Sequence, residues 1–443
     1  MKKFYIVILL AIIVLTFLQF NCNSPTAPNN NLTLSVADVS CTEAWLNLSA
    51  GSLSLPANIL VNKNGNNFLS FTLTSRDTTL YDGTLSPNQT YTYQAVYGNN
   101  KSETVTAKTL DTTSNNFTFQ TFLLGGAQSS VLNDVVIIND TVAYAVGAVY
   151  VNDSTGKPDP NAYNLAKWNG HSWKLLRVQF YTVRGNSHRT PYPASSVLAF
   201  SDSVIWISMD GDQVAKLKGS TQTESMFLPN SFSIKELWGE NLNLIYAVGD
   251  NGIIYIFVNG IWQKLESGTD IKLLDVWGNE KDTWICGWED FKPTVLLNYK
   301  NDVLTTVINN PNSSLFTYNP NAVSGAIESV WSNNTNNLFL LTWYGLYRVE
   351  NDNFDKPKNL WSGDPNTWGL GKVRGNNVND IVGAGVYGRI WHYNGVSWLF
   401  YNNLVNNSDN LNSVAIKGNL IIAVGYRYEN GINNYALVQI GHR

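Results

Sequence analysis

The chain has 443 residues, enough for two or three ordinary domains, and a formal net charge of −4 at neutral pH. Charged residues make up 14 % against 44 % hydrophobic, low for a cytosolic enzyme but in keeping with an all-β protein rich in buried strands. The absence of a basic stripe with interleaved aromatics argues against nucleic acid, and three cysteines without a CxxC pair argue against a zinc site or a redox dithiol.

Lys2 and Lys3 precede a nearly unbroken apolar run, Phe4 to Phe20, and Cys22 follows at once with a polar Asn- and Pro-rich stretch behind it. This order reads as a signal peptide over residues 1–21 leading into a tether over 22–30. It resembles a bacterial lipoprotein signal, in which the cysteine becomes the lipidated first residue. Gln19 and Asn21 depart from that family's box, which favours Leu and a small residue there. An uncleaved anchor helix and plain secretion remain alternatives, and all three place the rest of the chain outside the cytoplasm. The resemblance implies a membrane partner through Cys22 and a location in the bacterial cell envelope, at the outer membrane or cell surface. Loss of Lys2 and Lys3 on cleavage would take the net charge from −4 to −6.

Between residues 31 and 110 short alternating runs recur with Gly, Pro and Asn between them: Leu32–Val36, Ala44–Leu48, Phe68–Leu73, Tyr91–Val96 and Glu103–Ala107. About 80 residues in this rhythm predict a β-sandwich, with Trp45 as a core residue. Leu85-Ser-Pro-Asn-Gln-Thr-Tyr91 resembles the corner of fibronectin type III domains, which implies that the Tyr91 hydroxyl bonds back to the turn backbone.

From 117 to 443 the chain repeats itself. The clearest unit runs Leu237-Trp-Gly239, Ile245-Tyr-Ala-Val-Gly249, Asp250-Asn-Gly252, Ile253–Val258, Asn259-Gly260 and Ile261–Leu265. Further copies carry Val276-Trp-Gly278, Val330-Trp-Ser332, Val373-Arg-Gly375 and Val414-Ala-Ile416, and two looser ones precede them around Val142–Gly147 and Val197–Phe200. Seven units of about 40 residues, each with four short strands, predict a seven-bladed β-propeller behind the small fibronectin type III-like sandwich, an all-β fold throughout. The Asn-Gly turns call for positive φ at both central residues. The final unit stops after its third strand, Tyr435–Ile440, and Asn116–Leu123 reads as an orphan fourth strand that completes it. The pattern is similar to Trp-Gly/Val-Gly repeat propellers of bacterial surface proteins, and more loosely to sialidase-repeat and photosystem-assembly-factor propellers.

No motif marks a catalytic set, a metal or a cofactor. Gly383-Ala-Gly385-Val-Tyr-Gly388 matches a dinucleotide fingerprint, but a strand rather than a helix follows. Gly170-His-Ser-Trp and Gly395-Val-Ser-Trp are turns rather than nucleophile elbows, and Asp210-Gly-Asp212 is too short for a calcium loop. Trp238, Trp277 and Trp331 share one repeat position, with Arg374 as its fourth occupant, which favours packing between blades. Residues that break the repeat are better ligand candidates, because function rides on irregular loops over a rigid scaffold: Trp288, Asp290, Tyr344, Arg374, Tyr387 and Tyr426. The reading is an envelope-anchored, monomeric binding or adhesion lipoprotein that presents one propeller face to a glycan or protein. The alternatives are a carbohydrate-active hydrolase or lyase, which calls for paired carboxylates near the channel, and a scaffold of an envelope assembly complex.

Overall fold

The computed structural model describes residues 32–279, 282–310, 319, 321–333, 337–350, 352–360, 370–429 and 433–443. The signal, Cys22 and the tether lie outside the described residues. The chain divides into two compact units, Met1–Leu110 and Asp111–Arg443.

The first unit is built from two sheets. Thr33–Val39, Ala44–Ser49 and Asp77–Asp82 form one, and Asn66–Leu73, Ala57–Lys63, Thr90–Tyr97 and Asn100–Lys101 form the other, with Val105–Lys108 on the far part of Thr90–Tyr97. Leu34, Leu46, Leu48, Ile59, Val61, Tyr93 and Ala95 are among its core residues. Two strands, Ala57–Lys63 in the middle of one sheet and Asp77–Asp82 at the edge of the other, escape the sequence reading. Both alternate buried with exposed positions, but Asn58, Asn62 and Thr78 dilute the apolar signal. The Ser86 N–H donates to the Tyr91 hydroxyl at 2.9 Å, the bond expected at that corner. Trp45 is buried, yet it sits out of phase with Leu46 and Leu48 and outside their cluster, its ring 5.7 Å from that of Tyr81.

The second unit consists largely of four-stranded antiparallel sheets whose strands follow one another in sequence. Their first strands are Val131–Asn139, Ala194–Ser201, Ile234–Asn241, Leu273–Gly278, Ile327–Ser332, Leu370–Asn377 and Asp409–Lys417. Each first strand lies against the first strand of the next sheet, and Asp409–Lys417 returns to Val131–Asn139. The ring therefore closes around its own inner strands. In the last sheet Asn433–His442 pairs with Thr118–Leu124, from Ala436 opposite Leu124 to His442 opposite Thr118. This is the strand the sequence leaves orphaned, and it joins the two ends of the unit in one ladder.

The Asn-Gly turns come in two forms. Asn259 and Gly260 both take positive φ, 52° and 83°, as a two-residue hairpin requires. At Asn169-Gly170 and Asn394-Gly395 only the glycine does, at 92° and 95°. There the asparagine side chain takes over instead: Asn169 Oδ1 accepts from the N–H groups of His171 and Ser172, and Asn394 Oδ1 from those of Val396 and Ser397. The expectation of one turn type fails because asparagine can build a turn with its side chain as well as with its backbone.

Candidate binding site at the mouth of the central channel

Every inner strand carries a register shift near its start. It falls after Leu132, Ala194, Ile234, Leu273, Ile327, Leu370 and Leu411. One residue is bulged out at each: Asn133, Ser195, Lys235, Leu274, Glu328, Gly371 and Asn412. The glycine of the Val-Gly repeat stands opposite. Gly147, Gly249, Gly287 and Gly425 pair with the residue just before the bulge, and a Cβ there would lie 1.9–2.1 Å from a carbonyl oxygen of the inner strand. The repeat's glycine is thus a consequence of close backbone approach at a bulge.

The residue after each bulge forms a ring of equivalent positions: Asp134, Ser196, Glu236, Asp275, Ser329, Lys372 and Ser413, all buried. Lys372 Nζ lies 2.7 Å from Glu236 and 3.3 Å from Asp134. Arg374, two positions on, grips Asp275 through both terminal nitrogens, at 2.7 and 3.0 Å, and stacks on Trp277 with its guanidinium 4.8 Å from the ring. Ser413 and Ser196 donate to Asp134, and Ser329 to Asp275. Burial, reinforced by Asp134 and opposed by Lys372, pushes the Glu236 carboxyl up to about 8. Burial also works against ionised Asp275, but the cations Arg374 and Lys372 outweigh it and hold its carboxyl below the usual range. With Glu236 protonated, two carboxylates face two cations and the buried set is neutral, the arrangement a low-dielectric interior favours.

The bulged residues face a cavity of about 550 Å³ on one side of this set. Asn133, Ser195, Lys235, Leu274, Glu328, Gly371 and Asn412 all line it, joined by Asp210, Trp343 and Val386 from loops between second and third strands and by Asn410. A second cavity of about 230 Å³, lined by Trp238, Trp277 and Arg374 among others, lies on the other side. Glu236 and Lys372 line both, so the ion set is the partition between them.

At the mouth most polar groups are already bound on one side. Lys235 Nζ reaches Asp210 at 3.2 Å and the Ser233 hydroxyl at 2.7 Å. Burial acts against the Asp210 charge, but Ser233 and Lys235 hold its carboxyl below the usual range. Asn133 and Asn412 each donate an amide hydrogen to a neighbouring main chain, Ala194 O at 2.8 Å and Leu132 O at 2.9 Å. Trp343 Nε1 donates to Glu328 at 2.5 Å, and the half-buried Glu328 carboxyl is pushed up to about 7 by desolvation.

The sequence candidates fall in three places. Trp288 packs edge-on against Trp343 at 5.2 Å, Tyr344 follows Trp343, Tyr387 follows Val386, and the Tyr426 hydroxyl accepts from Asn410 at 3.1 Å. None of these four lines the cavity: Trp288 and Tyr426 touch residues that do, and Tyr344 and Tyr387 follow such residues in sequence. Arg374 belongs to the partition and lines the opposite cavity. Asp290 is exposed, in the loop after Trp288. Asp134, Glu236 and Asp275 are carboxylates at the channel, but all three are engaged with Lys372 or Arg374. Arg184 and Arg389 do not join Arg374. Arg184 bonds Asp212 and lies over Phe227, and Arg389 lies over Tyr387. Trp238, Trp277 and Trp331 pack between inner strands: Trp238 lies 5.9 Å from Trp277, and Trp331 fills the space a side chain at Gly375 would take. The bulged residues escape the sequence reading. Their signal is present, since the position three before Trp238, Trp277 and Trp331 holds Lys, Leu and Glu, unlike residues between neighbours that stay regular.

No protein-family model matches the chain, and no curated protein matches it. Among solved structures it is similar to YCF48 bound to D1 peptide, with 12 % identity over 75 % of this chain and 100 % of that one, at a TM-score of 0.53. It is also similar to the WD40 repeats of RRP9, with 12 % identity over 73 % of this chain and 97 % of the other, at 0.50. At this identity the likeness speaks to fold alone, and the chain has the all-β architecture of the β-propellers it resembles.

Proposed function

We propose that this chain is an envelope-anchored binding protein: a lipid on Cys22 holds it, the fibronectin type III-like unit spaces it, and a seven-bladed propeller presents its channel mouth to a ligand. The observation that carries the reading is the cavity of about 550 Å³ lined by the bulged residues. Seven equivalent backbone positions hold Asn, Ser, Lys, Leu, Glu, Gly and Asn in turn over a neutral, buried floor. A position that is regular in backbone and irregular in side chain is where a scaffold carries specificity. The similar structures include one bound to a peptide, which supports a binding role for the fold. Leu274→Trp fills the mouth without touching the ion set. It should abolish binding of whatever ligand a combined glycan and peptide array identifies, with the melting midpoint unchanged. Retained binding would move the site elsewhere. Cys22→Ser should release the protein from membranes.

A carbohydrate-active hydrolase or lyase is the second reading. Glu328 favours it, because a carboxyl pushed up to about 7 at a cavity wall can serve as a general acid. Product analysis of each bound glycan separates the two readings: turnover lost in Glu328→Gln supports the enzyme.

A further inference from the structure

The mouth combines two features that together select a ligand class. Its cations are internally matched. Lys235 is held by Asp210, and Lys372 by Glu236 and Asp134, so neither lysine is spare to attract an anionic ligand, and burial pushes the remaining carboxyl of the wall, Glu328, toward its neutral form. What it offers instead is hydrogen-bonding capacity in both directions. Asn133 and Asn412, which line the mouth, each donate one amide hydrogen to the main chain, which leaves a second amide hydrogen to donate and a carbonyl oxygen to accept.

The second feature is aromatic. Trp343 is fixed by its bond to Glu328 and by the edge of Trp288, so its ring enters the wall in one orientation. The loop that carries Trp288 continues to Phe291, fully exposed at φ 64°, and the loop that carries Val386 continues to Tyr387, exposed at φ 62°. Left-handed backbone is strained for a bulky side chain, at a cost on the order of 1–3 kcal/mol, and it persists where the surroundings impose it. Both loops hold an aromatic face out to solvent.

We infer that the channel mouth binds a neutral saccharide, with a sugar face stacked on the Trp343 indole and its hydroxyls bonded by Asn133, Asn412 and Glu328. A sugar has an apolar C–H face and hydroxyls that both donate and accept, and it carries no charge for a matched wall to reject. A cavity of about 550 Å³ has room for a short oligosaccharide. This inference rests on the mouth being the binding site.

The test is binding of neutral oligosaccharides, two to four sugars long, to the full chain in detergent, alongside an array of acidic, basic and apolar tripeptides. Tryptophan fluorescence and calorimetry report affinity. A neutral oligosaccharide should bind, and Trp343→Ala should weaken it about tenfold or more. Trp343→Phe keeps a stacking ring and should retain most of the affinity, which covers the case in which the alanine variant does not fold. Glu328→Gln keeps a hydrogen-bonding group and should weaken binding only a few-fold. If tripeptides bind in a Leu274→Trp-sensitive manner and saccharides do not, the mouth is a binding site and the saccharide inference falls. If saccharides bind but neither Trp343→Ala nor Leu274→Trp affects them, both readings fall.

Discussion

At the scale of single residues, the buried ion set ties stability to pH and to its own charge pairing. The native chain keeps a proton on Glu236 up to about pH 8, whereas an ordinary glutamate gives it up near 4.5. Between those values the folded state binds more protons than the unfolded one, so this group's contribution to stability is present at low pH and is lost as pH rises through that window. Asp275, held below its usual range, works in the opposite sense and contributes stability that is lost in acid. Urea midpoints at pH 5, 7 and 9 should therefore fall across the series for the natural chain and fall less for Glu236→Gln, which cannot ionise. An equal slope in both would show that another group carries the pH dependence. Arg374→Ala leaves Asp275 buried without its bidentate partner. The expected loss is roughly 3–5 kcal/mol, measured by denaturant unfolding at neutral pH.

At the scale of the element, one structural device explains most of the repeat. A bulge near the start of an inner strand pushes one side chain toward the mouth, turns the next into the buried ring, and in most sheets brings the two strands so close that glycine stands opposite. Two of the sheets keep the bulge without the glycine: Met209 and Thr342 stand where the others have it, opposite Ala194 and Ile327. The device predicts a contrast between two glycines in one sheet. At Gly249 an added Cβ would lie 2.0 Å from Ser233 O, so Gly249→Ala should cost roughly 1–3 kcal/mol through backbone displacement. At Gly260 nothing lies within 4 Å of the added atom, and only the positive φ of 83° opposes it, so Gly260→Ala should cost about 1 kcal/mol. Chemical denaturation of the two variants checks the order. If Gly260→Ala were the worse of the two, close approach would not be the reason for the repeat's glycine.

At the scale of the whole molecule, stability is shared around a ring and depends on its closure. Thr118–Leu124 is the outer strand of the last sheet and covers the edge of Asn433–His442, with Phe122 and Leu124 packed on a cluster that includes Val438 and Ile440. A second set of bonds reinforces the join. His392 sits between Asn115 and Asp380 at 2.5 and 2.6 Å, and Arg443 reaches the same Asp380. Deleting residues 118–124 should bare a long flat edge, abolish the single cooperative melting transition of this unit and promote aggregation. Light scattering and calorimetry would show it. A deletion variant that still melted in one sharp transition would mean that the ladder is dispensable for closure.

Much of this was legible in the chain itself. The strand-and-turn rhythm, the repeat length and the orphan strand at Asn116–Leu123 are local or pairwise patterns, and hydrophobic alternation with glycine punctuation encodes them directly. The Ser86–Tyr91 corner bond belongs to the same class, because its partners are five residues apart. What only the tertiary structure decided is which residues meet. Asp134, Glu236, Asp275 and the strand that carries Lys372 and Arg374 come from four separate sheets and become one neutral cluster only when the ring closes, whereas Glu328 meets Trp343 within a single sheet, 15 residues along the chain. Charge pairing and desolvation act through space rather than along the chain, so no spacing in the sequence announces them.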